Sequence, residues 1–209
     1  MQKSYNISHT KPEHAEQLEA LQFLVFPNLV DDEILHALQY KKHIEIFPKG
    51  QLVALDGDKV VGGSTTMRFH FDLENPKHHT FAETIAGGWL TTHDPNGKWL
   101  YGIDVSVHPD YRKMGMAKEF YKIRNQIARE LNLKGQLSVG ILNGYNKFKN
   151  ELSIDEYYNK VLIGEIFDPT VSVQQKIGFE IKGLIKNYVH DSTCGNAGVL
   201  IILDAKKEI

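Results

Sequence analysis

The 209-residue chain carries one cysteine, Cys194, so it can form no internal disulfide. That scarcity suits a reducing compartment, and a cytoplasmic location is the expectation. No run of about 18 apolar residues occurs, so no membrane span is expected. The opening Met1-Gln2-Lys3-Ser4 leads into no apolar signal-peptide core. Neither sign of charge dominates: Lys and Arg number 24, Asp and Glu 26, and the formal net charge is −2. The field of the whole protein therefore does not recruit nucleic acid, and no nucleic-acid or membrane partner is expected. Low-complexity tracts and internal repeats are missing too, which predicts one domain over residues 1–209. A hydrophobic fraction of 42% is enough to build its core.

Hydrophobic spacing predicts alternating strands and helices. Tyr5 to Ser8 reads as a first strand. Pro12 suits a first helical turn, and Ala15, Leu18, Leu21 and Val25 follow at helical intervals. Asp31 and Asp32 are placed to open a second helix reaching Ile46, ahead of Pro48. Gln51 to Leu55 and Lys59 to Phe71 flank Asp56-Gly57-Asp58, a hairpin signal. Residues 72 to 98 are irregular, with a turn at Asp94-Pro95-Asn96-Gly97. A strand over Trp99 to Val107 follows, with Tyr101, Ile103, Val105 and Val107 alternating against Gly102, Asp104 and Ser106. Met116, Phe120, Ile123, Ile127 and Leu131 then form one helical stripe. A strand spans Gly135 to Leu142. Residues 144 to 168 form a tyrosine-rich insertion with a helix over Ile154 to Leu162. A short helix from Thr170 to Lys176 stops at Gly178. Strands over Phe179 to Val189 and Ala197 to Leu203 close the chain. Hairpins and helices both join strands, so the sheet is mixed and covered by helices.

Two nucleotide-site templates fail. No Walker loop is present, and the three-glycine dinucleotide fingerprint is reduced to Gly115. What fits is a strand ending in Val107-His108-Pro109, a basic loop with one glycine, and a helix start. Small residues at Gly115 and Ala117 after Arg112 let backbone N–H groups close on a diphosphate, with the positive end of the helix behind them. Val107 to Ala117 resembles the coenzyme A signature of the GNAT superfamily of N-acetyltransferases. Gln175-Lys176-Ile177-Gly178-Phe179 resembles a late Glu-Lys-x-Gly-Phe step of the same family. Tyr101 to Val105 and the 144–168 insertion resemble a subgroup found fused to nitrilase-like amidohydrolases.

The resemblance implies an α/β (α+β) fold. Its sheet is mixed, mostly antiparallel and six- to seven-stranded, with helices flanking it and an insertion between the fifth strand and the fourth helix. It implies acetyl-coenzyme A as co-substrate, no metal, and a small-molecule or peptide amine as acceptor; a homodimer is compatible with it. The backbone of Arg112, Lys113, Met114, Gly115, Met116, Ala117 and Lys118 would hold the diphosphate. The coenzyme's arm would lie beside Val105 and Val107, where their strand diverges from Gln136 to Leu142. Asn143 is either a cofactor contact or a turn former.

A lysine-like amine, with pKa about 10.4, must lose a proton before attack, which calls for a nearby base. Asp104 is the first candidate. Its rival reading is a hydrogen-bonded buried carboxylate, and a strand bulge could turn it away. His108 flanks the loop and is either a titrating group or simply exposed. Many family members place a tyrosine where this chain has Gln174, which cannot donate a catalytic proton efficiently. Tyr145, Tyr157 or Tyr158 could supply that proton, Tyr145 first, or could merely pack. His70, His78 and His79 read as solvated loop residues, not ligands. Cys194 reads as a thiol without a role in a polar hairpin loop. The alternative function is a coenzyme A-binding sensor that has lost chemistry; a nicotinamide-dependent oxidoreductase lacks its glycines.

Overall fold

The computed structural model describes residues 4–74 and 78–209. Met1, Gln2 and Lys3, considered above for targeting, lie outside them, as do residues 75–77 of the irregular segment.

Seven strands form one sheet in the order β1-β2-β3-β4-β5-β7-β6. They are β1 Asn6–His9, β2 Gln51–Asp56, β3 Lys59–Phe69, β4 Trp99–Val107, β5 Gly135–Ile141, β6 Glu180–Ile185 and β7 Gly198–Asp204. Every neighbouring pair is antiparallel except β4 with β5. The helices are α1 Ala15–Val25, α2 Ala37–Ile46, α3 Phe81–Ile85, α4 Met116–Glu130, α5 Ile154–Leu162 and α6 Val171–Ile177. The mixed, mostly antiparallel sheet and its helical flanks match the expected class. The insertion lies between β5 and α6, which is the expected fourth helix once short α3 and α5 are counted. No helix among the described residues is long and apolar enough to cross a membrane.

Alternation along β7 sorts the two faces. Leu200 and Ile202 pack with Leu18, Leu21 and Tyr40 of α1 and α2. Val199, Ile201 and Leu203 pack with Tyr121 of α4, Val161 of α5 and Val171 of α6. Close approach needs glycine at Gly62, where a Cβ would stand 2.4 Å from Met116 Sδ. The core of α4 is its stripe of Met116, Phe120 and Ile127, all buried.

Three expectations are corrected. Asp31 and Asp32 do not open a helix: Asp31–Glu33 is a single 3-10 turn, and Ile34 is extended with ψ 138°. Burying Ile34 and Leu35 at once requires that break, and α2 starts afresh at Ala37. β6 ends at Ile185, short of Val189, because Asn187 takes a positive φ of 53°. The simple alternation along β4 fails, since β4 carries a bulge at Ile103: Thr65 pairs with Asp104 but Thr66 pairs with Gly102. Tyr101 and Ile103 therefore pack on the α1 side, while Val105 and Val107 pack with α4. Cys194 lies in the expected loop, within the Ser192–Cys194 3-10 turn. It is fully buried, its Sγ meets the Asp191 carbonyl at 3.1 Å, and burial pushes its pKa up to about 12.

Candidate active site

β4 and β5 pair only from Trp99 with Gly135 to Gly102 with Ser138. Beyond that point β4 stays with β3 and β5 stays with β7. The sheet thus forks, and main-chain groups of residues 103–107 that face β5 lose their ladder partners. A cavity of about 520 Å³ fills the fork and reaches both faces of the sheet. Phe26 and Asp104 line it from the α1 side; Val105, Val107, Tyr121 and Gln174 line it from the α4 side. A smaller chamber of about 100 Å³ adjoins it on the α1 side, sharing Asp104, Ile103 and Asn143. Its other walls include Gln22, Glu33, Phe81 and Tyr188. Glu33 is 1% exposed, and its carboxylate accepts the backbone N–H of His190 at 3.0 Å.

The loop above the cavity is built to leave N–H groups free. Pro109–Tyr111 is a 3-10 turn, anchored where Tyr111 Oη donates to Asp56 at 2.6 Å. His108 is part of that turn, its Nδ1 accepting the Asp110 N–H at 3.2 Å. Lys113 and Gly115 then adopt left-handed φ of 64° and 86°. Met116, Ala117 and Lys118 open α4, where N–H groups have no intrahelical partner, and no side chain caps them. Nothing lies within 4 Å of the position a Gly115 Cβ would take. Arg112, Lys113, Met114 and Lys118 are exposed around this concavity, and Arg112 also lines the cavity. Asn143 lines both cavities and donates to Thr170 Oγ1 at 2.8 Å. Its N–H meets the Ile141 carbonyl at 3.0 Å, so it is also a turn residue.

The bulge at Ile103 aims Asp104 toward α1, at the junction of the two cavities. Its Oδ2 accepts Gln22 Nε2 at 2.8 Å and Ser106 Oγ at 2.7 Å. Among the described residues its Oδ1 accepts only the Thr65 N–H, at 3.0 Å, and keeps acceptor capacity to spare. Behind the bulge lies Arg124, 2% exposed. It donates to Ser64 Oγ at 2.7 Å, to the Thr65 carbonyl at 3.0 Å and to the Asp104 carbonyl. Those are carbonyls that the bulge displaces from a regular ladder. Burial lowers the Arg124 pKa. Gly102 makes room for it, because a Cβ there would stand 2.5 Å from Arg124 Nη1.

The far wall hangs on Asp168, which is fully buried. Its Oδ1 accepts the N–H groups of Thr170 and Val171; its Oδ2 accepts the Gly144 N–H and the Tyr157 hydroxyl, all at 2.8 to 3.0 Å. One carboxylate thereby ties the insertion to the start of α6. Burial, with Asp168 second, raises the Tyr157 pKa.

Tyr145 is not brought to either cavity. Its hydroxyl donates to the Leu152 carbonyl at 3.0 Å, and its ring packs edge-on against Tyr157. Tyr158 packs against the same apolar cluster. His70 is exposed, His78 meets the Lys186 carbonyl, and His79 packs between Phe71 and Tyr188. Among the described residues no group of His, Cys, Asp and Glu could hold a metal ion. Sequence reasoning missed Gln22, Tyr121, Arg124 and Asp168. Only Asp168 left a signal, an Asp-Pro-Thr opening a short helix. The others act across the fold and read locally as ordinary helix positions.

No family model matches the chain. It is 32% identical over 187 residues to the uncharacterized N-acetyltransferase YkwB of Bacillus subtilis (strain 168), covering 89% of this chain and 82% of that protein. It is also 32% identical over 192 residues to the probable hydrolase YhcX of the same organism. That match takes in 92% of this chain, which spans only 37% of YhcX. Among solved structures, the GphF GNAT-like decarboxylase in complex with isobutyryl-CoA superposes with a TM-score of 0.78 at 20% identity. The superposition covers 96% of this chain and all of that one.

Proposed function

Because this chain belongs to the GNAT superfamily of N-acetyltransferases, we propose that it moves an acetyl group from acetyl-coenzyme A to a primary amine. The amine attacks the thioester directly. The observation that carries this reading is the fork between β4 and β5, which opens one continuous cavity from Arg112, at the start of the glycine loop, to Asp104.

The residues present fit the coenzyme. Left-handed turns at Lys113 and Gly115 point successive N–H groups outward, open space surrounds Gly115, and three cations flank it. Val105 and Val107 offer unpaired main chain on which an extended arm can add like a strand. Asn143 and Arg112 border the same channel. When bound, acetyl-coenzyme A supplies an electrophilic thioester carbonyl.

The acceptor enters from the α1 side, through the smaller chamber, as a small molecule or an exposed peptide amine. Freeing a lysine-like amine of its proton costs roughly 4–5 kcal/mol at neutral pH. Asp104 Oδ1, with a single donor, receives that proton or orients the N–H that carries it. Gln22, Ser106 and Thr65 fix the carboxylate while it does so, so no reorganisation is needed at the moment of attack. Tyr145 enters this reading only as packing for the insertion, its hydroxyl already spent on Leu152.

Titration calorimetry with acetyl-coenzyme A, followed by thiol release across a broad panel of amines, tests the assignment. Binding with release for at least one amine is the expected result. Binding without release to any amine would leave a coenzyme-binding module and end the transferase reading.

A further inference from the structure

On the α4 side of the fork one buried polar atom is unpaired and one buried hydroxyl uses only its acceptor side. Gln174, 5% exposed on α6, donates through Nε2 to the Tyr121 hydroxyl oxygen at 3.0 Å. Its Oε1 has no hydrogen-bond partner. That oxygen lies over the β5 branch, where a Cβ on Gly140 would come within 2.3 Å of it. Tyr121, 6% exposed on α4, spends its oxygen as an acceptor, and its own O–H has no protein acceptor among the described residues. Both side chains line the cavity. A buried polar atom left unpaired costs about 1–3 kcal/mol, so Gln174 Oε1 calls for a ligand donor, and the Tyr121 O–H beside it has its proton left to offer the same ligand.

Charge at the same spot favours an anion. The Arg124 guanidinium lies 5.6 Å from the Tyr121 ring centroid and lines the cavity as well. It has no carboxylate within 4.0 Å among the described residues, only Ser64 and two carbonyls. Of the other tyrosines considered as donors, Tyr145 is committed to Leu152 and Tyr157 to Asp168, and Tyr158 lines neither cavity. A leaving sulfur is the group that becomes anionic in acetyl transfer, and its conjugate thiol has a pKa near 8.5.

We propose that Tyr121 is a catalytic residue that returns a proton to the departing sulfur, and that Gln174 is the residue positioning it. The proposal rests on the acetyl-transfer reading above. The amine nitrogen forms its bond to the thioester carbon, and the C–S bond breaks with the electron pair leaving on sulfur. The Tyr121 hydroxyl proton passes to that sulfur, while the amine gives one proton to Asp104. Water in the open cleft restores the proton to Tyr121 and takes the one from Asp104. Gln174 Nε2 holds the Tyr121 oxygen, and Gln174 Oε1 accepts an amide N–H of the coenzyme's arm.

The test compares the parent with Tyr121→Phe. Calorimetry measures affinity for coenzyme A and for desulfo-coenzyme A at pH 8.5, and steady-state kinetics follows acetyl transfer. The parent is expected to prefer coenzyme A by about tenfold, the worth of one charge-assisted hydrogen bond. Tyr121→Phe is expected to lose that preference while binding desulfo-coenzyme A as the parent does. Its kcat falls about 10- to 100-fold with KM for acetyl-coenzyme A within about twofold. If a folded Tyr121→Phe keeps either the preference or the parent kcat, the proposal is overturned; a parent without any preference overturns it too. Should Tyr121→Phe melt far below the parent, Gln174→Leu carries both measurements, with a loss in each expected and retention of either fatal. A parent that transfers acetyl to no amine sinks the transferase reading instead, and the binding comparison still decides whether Tyr121 meets the sulfur.

Discussion

Gln22 on α1 and Asp104 on β4, 82 residues apart, meet at 2.8 Å, with Ser106 bonded to both. The contact exists because Ile103 bulges out of register and carries the next residues round by one face. The Thr65 backbone N–H is a donor that cannot turn, so the atom facing it at 104 must be an acceptor.

Asp104→Asn is the direct consequence. An amide NH₂ at 104 either faces the Thr65 N–H, donor against donor, or faces Gln22 and Ser106, which must then flip the amide and turn the hydroxyl to accept it. The expected loss is about 2 kcal/mol of stability, read as a drop in Tm. Acetyl transfer should fall about 100-fold or more. The double variant Gln22→Glu with Asp104→Asn restores donor to acceptor and should recover Tm without recovering transfer. A single variant that transfers at the parent rate removes Asp104 from the chemistry.

Gly115→Val probes the loop proposed to hold the diphosphate. A side chain at 115 meets no protein atom, so no clash is introduced. The left-handed φ of 86° nevertheless penalises a β-branched residue by roughly 1–2 kcal/mol. Circular dichroism should show a folded protein with a modestly lower Tm. Coenzyme A affinity should fall more than about tenfold, because the backbone can no longer close on the phosphates. Unchanged affinity would move the diphosphate elsewhere.

Local signals account for what was legible in advance. Asp56-Gly57-Asp58 does connect β2 and β3, and α5 occupies Ile154–Leu162 behind a Ser153 cap that the Glu156 side chain completes. The turn and helix start over 107–117 are legible because neighbouring residues determine that backbone. The fork walls were not, for the reverse reason. Arg124 occupies a polar-looking slot on α4, and nothing near it in sequence reveals the gap at Gly102 into which it reaches. The acidic pair Asp31-Asp32 resembles a helix start, yet burial of Ile34 and Leu35 outweighs dipole complementarity. Tyr145 sits in a tyrosine-rich stretch that looks chemical, but internal hydrogen bonds absorb its hydroxyl.

Asp168→Ala tests how the insertion is held. The change strips four donors, three of them backbone N–H groups, of their shared acceptor. A loss of about 3 kcal/mol or more is expected, with Tm falling accordingly. Hydrogen exchange should speed up at residues 144 and 170–171 before it does in the β5–β7 ladder. Protection unchanged at those sites would mean that the insertion is held by apolar packing alone.

His43 sets the acid limit of stability. It is fully buried, its Nε2 meets the Gly88 carbonyl at 2.6 Å, and burial lowers its pKa from 6.5 to about 4. The folded ring is therefore neutral at pH values where the unfolded ring is already protonated. Between pH 6.5 and 4 the unfolded state binds more protons, so stability rises with pH across that window. The contribution is complete above pH 6.5 and is lost as pH falls toward 4, on the order of 3 kcal/mol. Urea melts at pH 7 and pH 4.5 should show that loss in the parent, beyond what surface carboxylates remove. His43→Gln, which keeps a side-chain donor but cannot titrate, should be less stable than the parent at pH 7 and show a flatter pH profile. Parallel profiles for the two proteins would mean that His43 does not titrate between the folded and unfolded states.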